Sequence, residues 1–302
     1  MKSTRLAAAA CVAASIMGAV WAAEAPPFRI SKPAEILQGE IAPLDVAGST
    51  LAAVEGKFGK EKVPFYRNAQ GHFVALLGVD LEAKPGPAKL HIKVTTQSGT
   101  SRESDVALRI KAKSFPHEDF SVPPQFDQLT PEVLERIRQE QEQFLRAFAT
   151  SAPNRLWEKP FMMPVTMDVS SPFGYRRVIN GTPRAPHTGV DLRAPMGTEV
   201  AAANDGRVAL TGEFFYTGKT IVLDHGGGLF TLYFHLSEFK VDEGGEVRKG
   251  DVIGLSGMTG RVTGPHLHWA ARLNGARVDP FQLVQKIGGT ADKPVHEDAR
   301  SQ

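Results

Sequence analysis

The chain has 302 residues, 42% of them hydrophobic and 23% charged, which is enough apolar content for about two packed domains and excludes both a disordered chain and a multi-pass membrane protein. A formal net charge of +2 excludes the strongly basic surface that nucleic acid or an anionic membrane would require. The single cysteine, Cys11, excludes a disulfide framework within the chain and any cysteine-rich zinc or iron–sulfur site, so a metal here must use His, Asp or Glu.

Lys2 and Arg5 precede an uncharged run over 6–23, and Val20-Trp21-Ala22 sets small residues where a signal peptidase reads. Residues 1–22 are therefore read as a cleaved signal peptide. The run nears the length of an uncleaved membrane anchor, but its Ala-rich side chains favour removal. Residues 8–10 make a poor lipobox for a lipid-modified Cys11. Cleavage leaves 302 − 22 = 280 residues with no cysteine and 35 − 2 = 33 basic against 33 acidic residues, a net charge of zero. That suits an oxidising envelope compartment or periplasm, with no stable membrane insertion once the signal is removed.

Short period-2 runs at 28–30, 51–54, 72–77, 89–94 and 106–110, punctuated by Gly, Pro and Asn, predict an immunoglobulin-like β-sandwich over 28–113. Its histidines, His72 and His91, stand singly and read as structural. Residues 114–155 read as a linker, proline-rich and extended over 114–129. Within it Thr130-Pro131 starts a helix over 131–149, with Leu134, Ile137, Phe144, Leu145 and Phe148 on one stripe. Residues 156–285 return to antiparallel β, with runs at 198–202, 206–210, 220–224, 229–235, 252–255 and 267–273 and a hairpin turn at Gly226-Gly227-Gly228. Residues 286–302 read as a polar tail. The fold class is mostly β.

Six of the nine histidines follow Pro186: His187, His225, His235, His266, His268 and His296. Residues two apart in a strand share a face, so His266 projects with His268, and Tyr233 with His235; an offset of four does the same for His187 and Asp191 if that segment is extended. Imidazoles clustered in an apolar core without partners would cost roughly 1–3 kcal/mol each. A divalent metal removes that cost. Two imidazoles and a carboxylate suit zinc, and three protein ligands leave an open position, the mark of a catalytic site. H-x-H or H-x-x-x-D alone is a weak signal, and no H-E-x-x-H motif supplies a glutamate base.

Ser171-Pro172-Phe173-Gly174-Tyr175-Arg176, His187 to Asp191, Tyr233-Phe234-His235-Leu236 and Gly264-Pro265-His266-Leu267-His268 occur in the order seen in lysostaphin-type zinc metallopeptidases that cut peptidoglycan. The resemblance covers roughly residues 165–280. It implies that His187, Asp191 and His268 hold one zinc ion and that His235 and His266 are catalytic histidines outside the metal shell. His266 is assigned as the base and His235 as donor to the oxyanion, roles that are exchangeable. His225 reads as a turn or supporting group and His296 as solvated. Arg176 and Arg177 lie where they would meet the carboxylates of stem peptides, or are plain surface residues. Residues 244–254 resemble the hairpin of lipoyl and biotinyl carriers. With no lysine beside Met or Ala at a tight turn, as the carriers present it, this stretch reads as scaffold, with Val247, Val252 and Ile253 buried.

The resemblance thus implies an exported zinc endopeptidase acting on peptidoglycan cross-links, with D-alanyl to diaminopimelate as the expected bond. The alternatives are cleavage of a glycine bridge and a non-catalytic activator of cell-wall amidases. The module over 28–113 is expected either to occlude the cleft partly, to meet a regulatory partner, or to brace the peptidase.

Overall fold

The structure, a computed structural model, describes residues 28–120, 129–179 and 181–287. The expected signal peptide with Cys11, residues 121–128 of the linker, the tail with His296 and the side chain of Arg177 lie outside the described residues.

Alternation of apolar and polar residues builds nine strands in the first module: β1 (Arg29–Ser31), β2 (Ile36–Leu37), β3 (Ile41–Ala47), β4 (Leu51–Phe58), β5 (Glu61–Pro64), β6 (Tyr66–Arg67), β7 (Phe73–Gly78), β8 (Gly86–Thr96) and β9 (Ser101–Lys111). They form two sheets, ordered β1-β3-β7-β6 and β2-β9-β8-β4-β5. Leu44, Val46, Ala75 and Leu77 of the first sheet share one core with Leu90, Ile92, Val106 and Leu108 of the second. Strand β3 has no counterpart among the runs read from the sequence because Pro43 interrupts it. The ladder with β1 begins only at Asp45, so on that side no bond is asked of the missing N–H. His72 meets Asp45, and His91 meets Asp105 and Glu103, as polar pairs on the module surface.

The chain then contributes β10 (His117–Phe120), α1 (Pro131–Ala149), β11 (Val169–Ser171), β12 (Arg176–Ile179) and β13 (Thr182–Pro183). Residues 114–129 are thus not linker throughout, since β10 pairs in parallel with β12. Thr130 caps α1, its Oγ1 accepting the Val133 N–H at 3.4 Å. The face that α1 buries keeps Phe144 and Phe148 of the apolar stripe but not the whole of it. Leu134 and Leu145 are exposed, whereas Glu140 is buried with Ala147. Hydrogen bonding draws Glu140 inward, because it accepts the backbone N–H of Phe215 in the turn over 215–217.

The remaining elements are β14 (Gly189–Leu192), β15 (Glu199–Ala201), β16 (Gly206–Phe214), β17 (Gly218–Asp224), β18 (Leu229–Phe239), β19 (Glu246–Val247), β20 (Val252–Ser256), β21 (Leu267–Leu273), β22 (Ala276–Val278) and α2 (Phe281–Lys286). Their main sheet runs β11-β14-β21-β18-β17-β16-β19. Its rear face buries Val190, Leu192, Ile221, Leu223, Tyr233 and Trp269 in the principal core. Its front face carries a second cluster, Leu210, Phe214, Val222, Phe230, Phe234 and Ala270, against Phe144, Ala147 and Phe148 of α1. In the hairpin over 244–254, Val247 and Ile253 are buried but Val252 is 38% exposed. Two adjacent residues of a strand cannot both face the core.

The first module docks on the C-terminal end of β21. Ile41 and Leu81 belong to the principal core, Gly78 lies against Leu273 without room for a Cβ, and Arg277 holds Asp80 through Nε at 3.0 Å and Nη2 at 2.6 Å.

Candidate metal centre

Strands β14 and β21 are in register with Asp191 opposite His268, and β21 pairs with β18 so that His268 lies opposite Phe234. These side chains therefore emerge on the front face. His187 enters from the segment just before β14, where Gly174 N–H donates to His187 O and His187 N–H donates to Tyr175 O.

His187 Nε2, Asp191 Oδ1 and His268 Nδ1 each lie 2.9 Å from the other two. Nδ1 of His187 is 2.9 Å from the carbonyl of Pro172 and 3.4 Å from Ser171 Oγ, so it carries the proton and leaves Nε2 a bare lone pair in the neutral ring. The His187 lone pair and the Asp191 oxygen repel one another at this distance unless a cation lies between them, and His268 Nδ1 completes the set when it too is unprotonated. Donors around one tetrahedral zinc ion at about 2.0–2.1 Å stand roughly 3.3 Å apart, so the set fits zinc. Among the described residues it is the one group of three with this property. Burial would raise the Asp191 carboxyl, but positive charge and hydrogen bonding from the His187 and His268 nitrogens, when these carry a proton, hold it well below the usual carboxylate range.

His268 is fixed from two sides. Its ring stacks on Phe234 with centroids 5.0 Å apart and planes 4° apart. A Cβ on Gly189 would stand 2.5 Å from its Nε2, so the glycine of His187-Thr188-Gly189 makes room for the imidazole. Burial pushes His268 down to about 4. Neither Gly189 nor Phe234 carries chemistry of its own, and spacing arguments pass over both.

His235 and Tyr233 do not share a face. Tyr233 is fully buried in the rear core, whereas His235 has a left-handed backbone with φ of 62° and turns to the front. The β17–β18 ladder shifts register there, and the irregularity breaks strict alternation. His235 Nδ1 donates to Thr259 O at 2.9 Å, and His266 Nδ1 to Gly264 O at 2.9 Å. Each neutral ring therefore keeps Nε2 as an acceptor. The two rings are 4.8 Å apart, and His266 Nε2 is 3.6 Å from Asp191 Oδ1. Burial, reinforced by nearby His268, pushes His235 down to about 4.

All five residues line one open cleft of about 690 Å³. Its other walls include Ser170, Pro195 and the loop 261–265, and two cations, Arg193 and Arg261, which the sequence reading passed over. No residue of 28–113 is among its lining, and Arg176 instead lies over the Phe115 ring at 5.7 Å. His225 is remote from the donors. Its Nδ1 donates to Asp205 O at 2.7 Å, and the Thr231 hydroxyl bridges its Nε2 at 2.7 Å and the Tyr233 hydroxyl at 3.0 Å.

An antiparallel sheet that offers a His-Asp-His donor set beside two further imidazoles in an open cleft is the layout of a metallopeptidase. Residues 185–280 match the model of Peptidase family M23. A solved Pseudomonas aeruginosa chain described as a peptidase M23 aligns with a TM-score of 0.67 and 31% identity over 84% of this chain and 96% of its own. The chain belongs to peptidase family M23. It is 50% identical over 117 residues to the DD-carboxypeptidase/endopeptidase Mpg of Neisseria meningitidis serogroup B, covering 38% of this chain and 27% of that protein. It is 46% identical over 126 residues to the peptidoglycan DD-endopeptidase ShyA of Vibrio cholerae serotype O1, covering 41% and 29%. The chain thus spans less than a third of the length of these curated relatives. Among the described residues no helix is long and apolar enough to cross a membrane.

Proposed function

We propose that the protein is an exported zinc endopeptidase of the cell envelope that hydrolyses peptide cross-links of peptidoglycan. The observation that carries this reading is the 2.9 Å triangle of His187, Asp191 and His268 donors facing the same cleft as His235 and His266. His187, Asp191 and His268 hold the metal. A zinc ion there supplies Lewis acidity toward the scissile carbonyl and toward the attacking water.

The residues of the chain manage the proton. The anchored Nδ1 atoms make both free histidines acceptors at Nε2 in their neutral form. His266, adjacent to Asp191, takes the proton of the attacking water and passes it to the departing amine. His235 donates to the oxyanion only when its own Nε2 is protonated, which its burial opposes, so in the resting protein it orients water as an acceptor.

Arg193 and Arg261 favour a substrate with free carboxylates beside the scissile bond, as the D-alanyl to diaminopimelate cross-link has and a glycine bridge lacks. The names of the DD-endopeptidase relatives agree with that choice. A regulatory partner would meet the protein through residues 28–113. The test is digestion of purified sacculi by the zinc-loaded protein with mass spectrometry of the released fragments. Monomeric stem peptides from cross-linked dimers are expected; absence of any peptide-bond cleavage by protein with stoichiometric zinc overturns the reading.

A further inference from the structure

Helix α1 lies outside the residues 185–280 that define the family match, yet one of its carboxylates reaches the frame of the cleft. Glu140 is only 9% exposed. Its two oxygens accept the Phe215 N–H at 3.0 and 2.9 Å, and Arg136 Nε donates to it at 2.6 Å. Arg136 also lies 6.0 Å over the Phe215 ring and donates to Glu213 O at 3.4 Å. Among the aromatic residues that otherwise line this contact an apolar side chain would pack without penalty, whereas a buried carboxylate costs free energy unless its bonds serve a purpose.

The turn that Glu140 grips, residues 215–217, shapes His235 in two ways. Thr217 O accepts the His235 backbone N–H at 2.9 Å, at the point where φ is 62°. The same turn and the start of β17 are tied to the loop 257–261: Tyr216 O accepts the Arg261 N–H at 3.1 Å, Lys219 N–H donates to Thr259 Oγ1 at 2.8 Å, and Gly218 has no room for a Cβ beside Thr259. Thr259 O in turn accepts from His235 Nδ1 at 2.9 Å and fixes the tautomer. A non-glycine residue in left-handed conformation persists only when its surroundings over-determine it.

We propose that Glu140 is a positioning residue for His235: a carboxylate from the helix before the peptidase domain clamps the 215–217 turn, which holds both the backbone and the imidazole of that histidine. The inference rests on the reading of His235 as part of the proton path. It also makes α1 a working part of the enzyme although it precedes the matched domain.

The test uses the full zinc-loaded chain and two variants that keep the volume of the side chain. Glu140→Met removes the acceptor, and Glu140→Gln retains one oxygen for the Phe215 N–H. Turnover of a purified cross-linked muropeptide dimer, zinc stoichiometry, thermal melting and nitrogen-15 spectra of the His235 imidazole are recorded together. In Glu140→Met, kcat is expected to fall on the order of tenfold with KM and zinc content unchanged, and the His235 spectrum to change from a single Nδ1–H tautomer to a mixture. Glu140→Gln is expected to recover most of both. An unchanged His235 spectrum in Glu140→Met overturns the proposal, as does a kcat loss that only tracks lost zinc or lost folded protein, or a glutamine variant no better than the methionine one. If the parent protein cleaves nothing, the peptidase reading fails, while the imidazole spectra still decide the role of Glu140.

Discussion

Each donor in the metal triangle faces two others at 2.9 Å, so removing one leaves the remaining pair unable to hold the ion. His268→Ala is expected to lose zinc and peptidase activity together, measured by metal analysis and fragment release. His266→Ala should keep most of its zinc while turnover falls on the order of 10²-fold or more, the scale of a lost general base; near-normal hydrolysis would refute that role. These residues were singled out by the order of four motifs rather than by spacing, which alone is a weak signal, and the structure brings them into one cleft. Gly189 and Phe234, which set the ring plane of His268, were not, since their contribution is shape. His235 was legible as a residue but not in its direction, because a left-handed backbone cancels the alternation used to orient it. A separate consequence concerns His225, which burial pushes down to about 4. The unfolded chain protonates this ring near the ordinary value of about 6.5 while the folded chain does not, so stability is expected to fall as pH drops from about 6.5 to 4, at up to ~1.4 kcal/mol per pH unit. Urea midpoints across this window should show a shallower slope for His225→Gln than for the parent.

Helix α1 shows how an element can be legible while its orientation is not. Thr130-Pro131 marks the start by local chemistry alone, since the hydroxyl caps and the proline needs no N–H partner. The buried face depends on what lies opposite, and Phe215 N–H draws Glu140 inward while Leu134 and Leu145 stay in solvent. The helix is held by rings: Phe144 sits 4.8 Å from Phe214 and 6.3 Å from Phe234, and Phe148 sits 5.1 Å from Phe230. Phe144→Ala is therefore expected to destabilise the protein by about 2–4 kcal/mol and to weaken zinc retention through Phe234, whereas Leu134→Ala should stay within about 0.5 kcal/mol. Chemical denaturation and zinc competition with a chelator would separate the two variants. Strand β3 went unread for a similar reason, as Pro43 masks a pattern that only the neighbouring strands make permissible.

At the scale of the whole molecule, the first module and the peptidase domain share structure rather than merely adjoin. Ile41 and Leu81 complete the peptidase core, Asp279 N–H donates to Gly39 O at 2.8 Å and Lys286 Nζ to Ile41 O at 2.8 Å. Asp80 is the polar centre of this contact, accepting from Arg277 N as well as from its guanidinium, and these bonds hold its carboxyl below the ordinary range despite the opposing effect of burial. All residues lining the cleft lie between Ser170 and His268, so among the described residues the docked module adds nothing to its walls, and we propose that it braces the peptidase domain. Asp80→Ala is expected to cost about 1–3 kcal/mol by stranding Arg277, whose guanidinium retains, among the described residues, only Glu82 at 3.0 Å. Calorimetry is expected to show one melting transition for the parent, on account of the shared core, and a broadened or split one for this variant, while kcat/KM on soluble muropeptides stays that of the parent. If loosening the contact instead raises activity, the module shades the cleft in solution, and bracing is the wrong account of it.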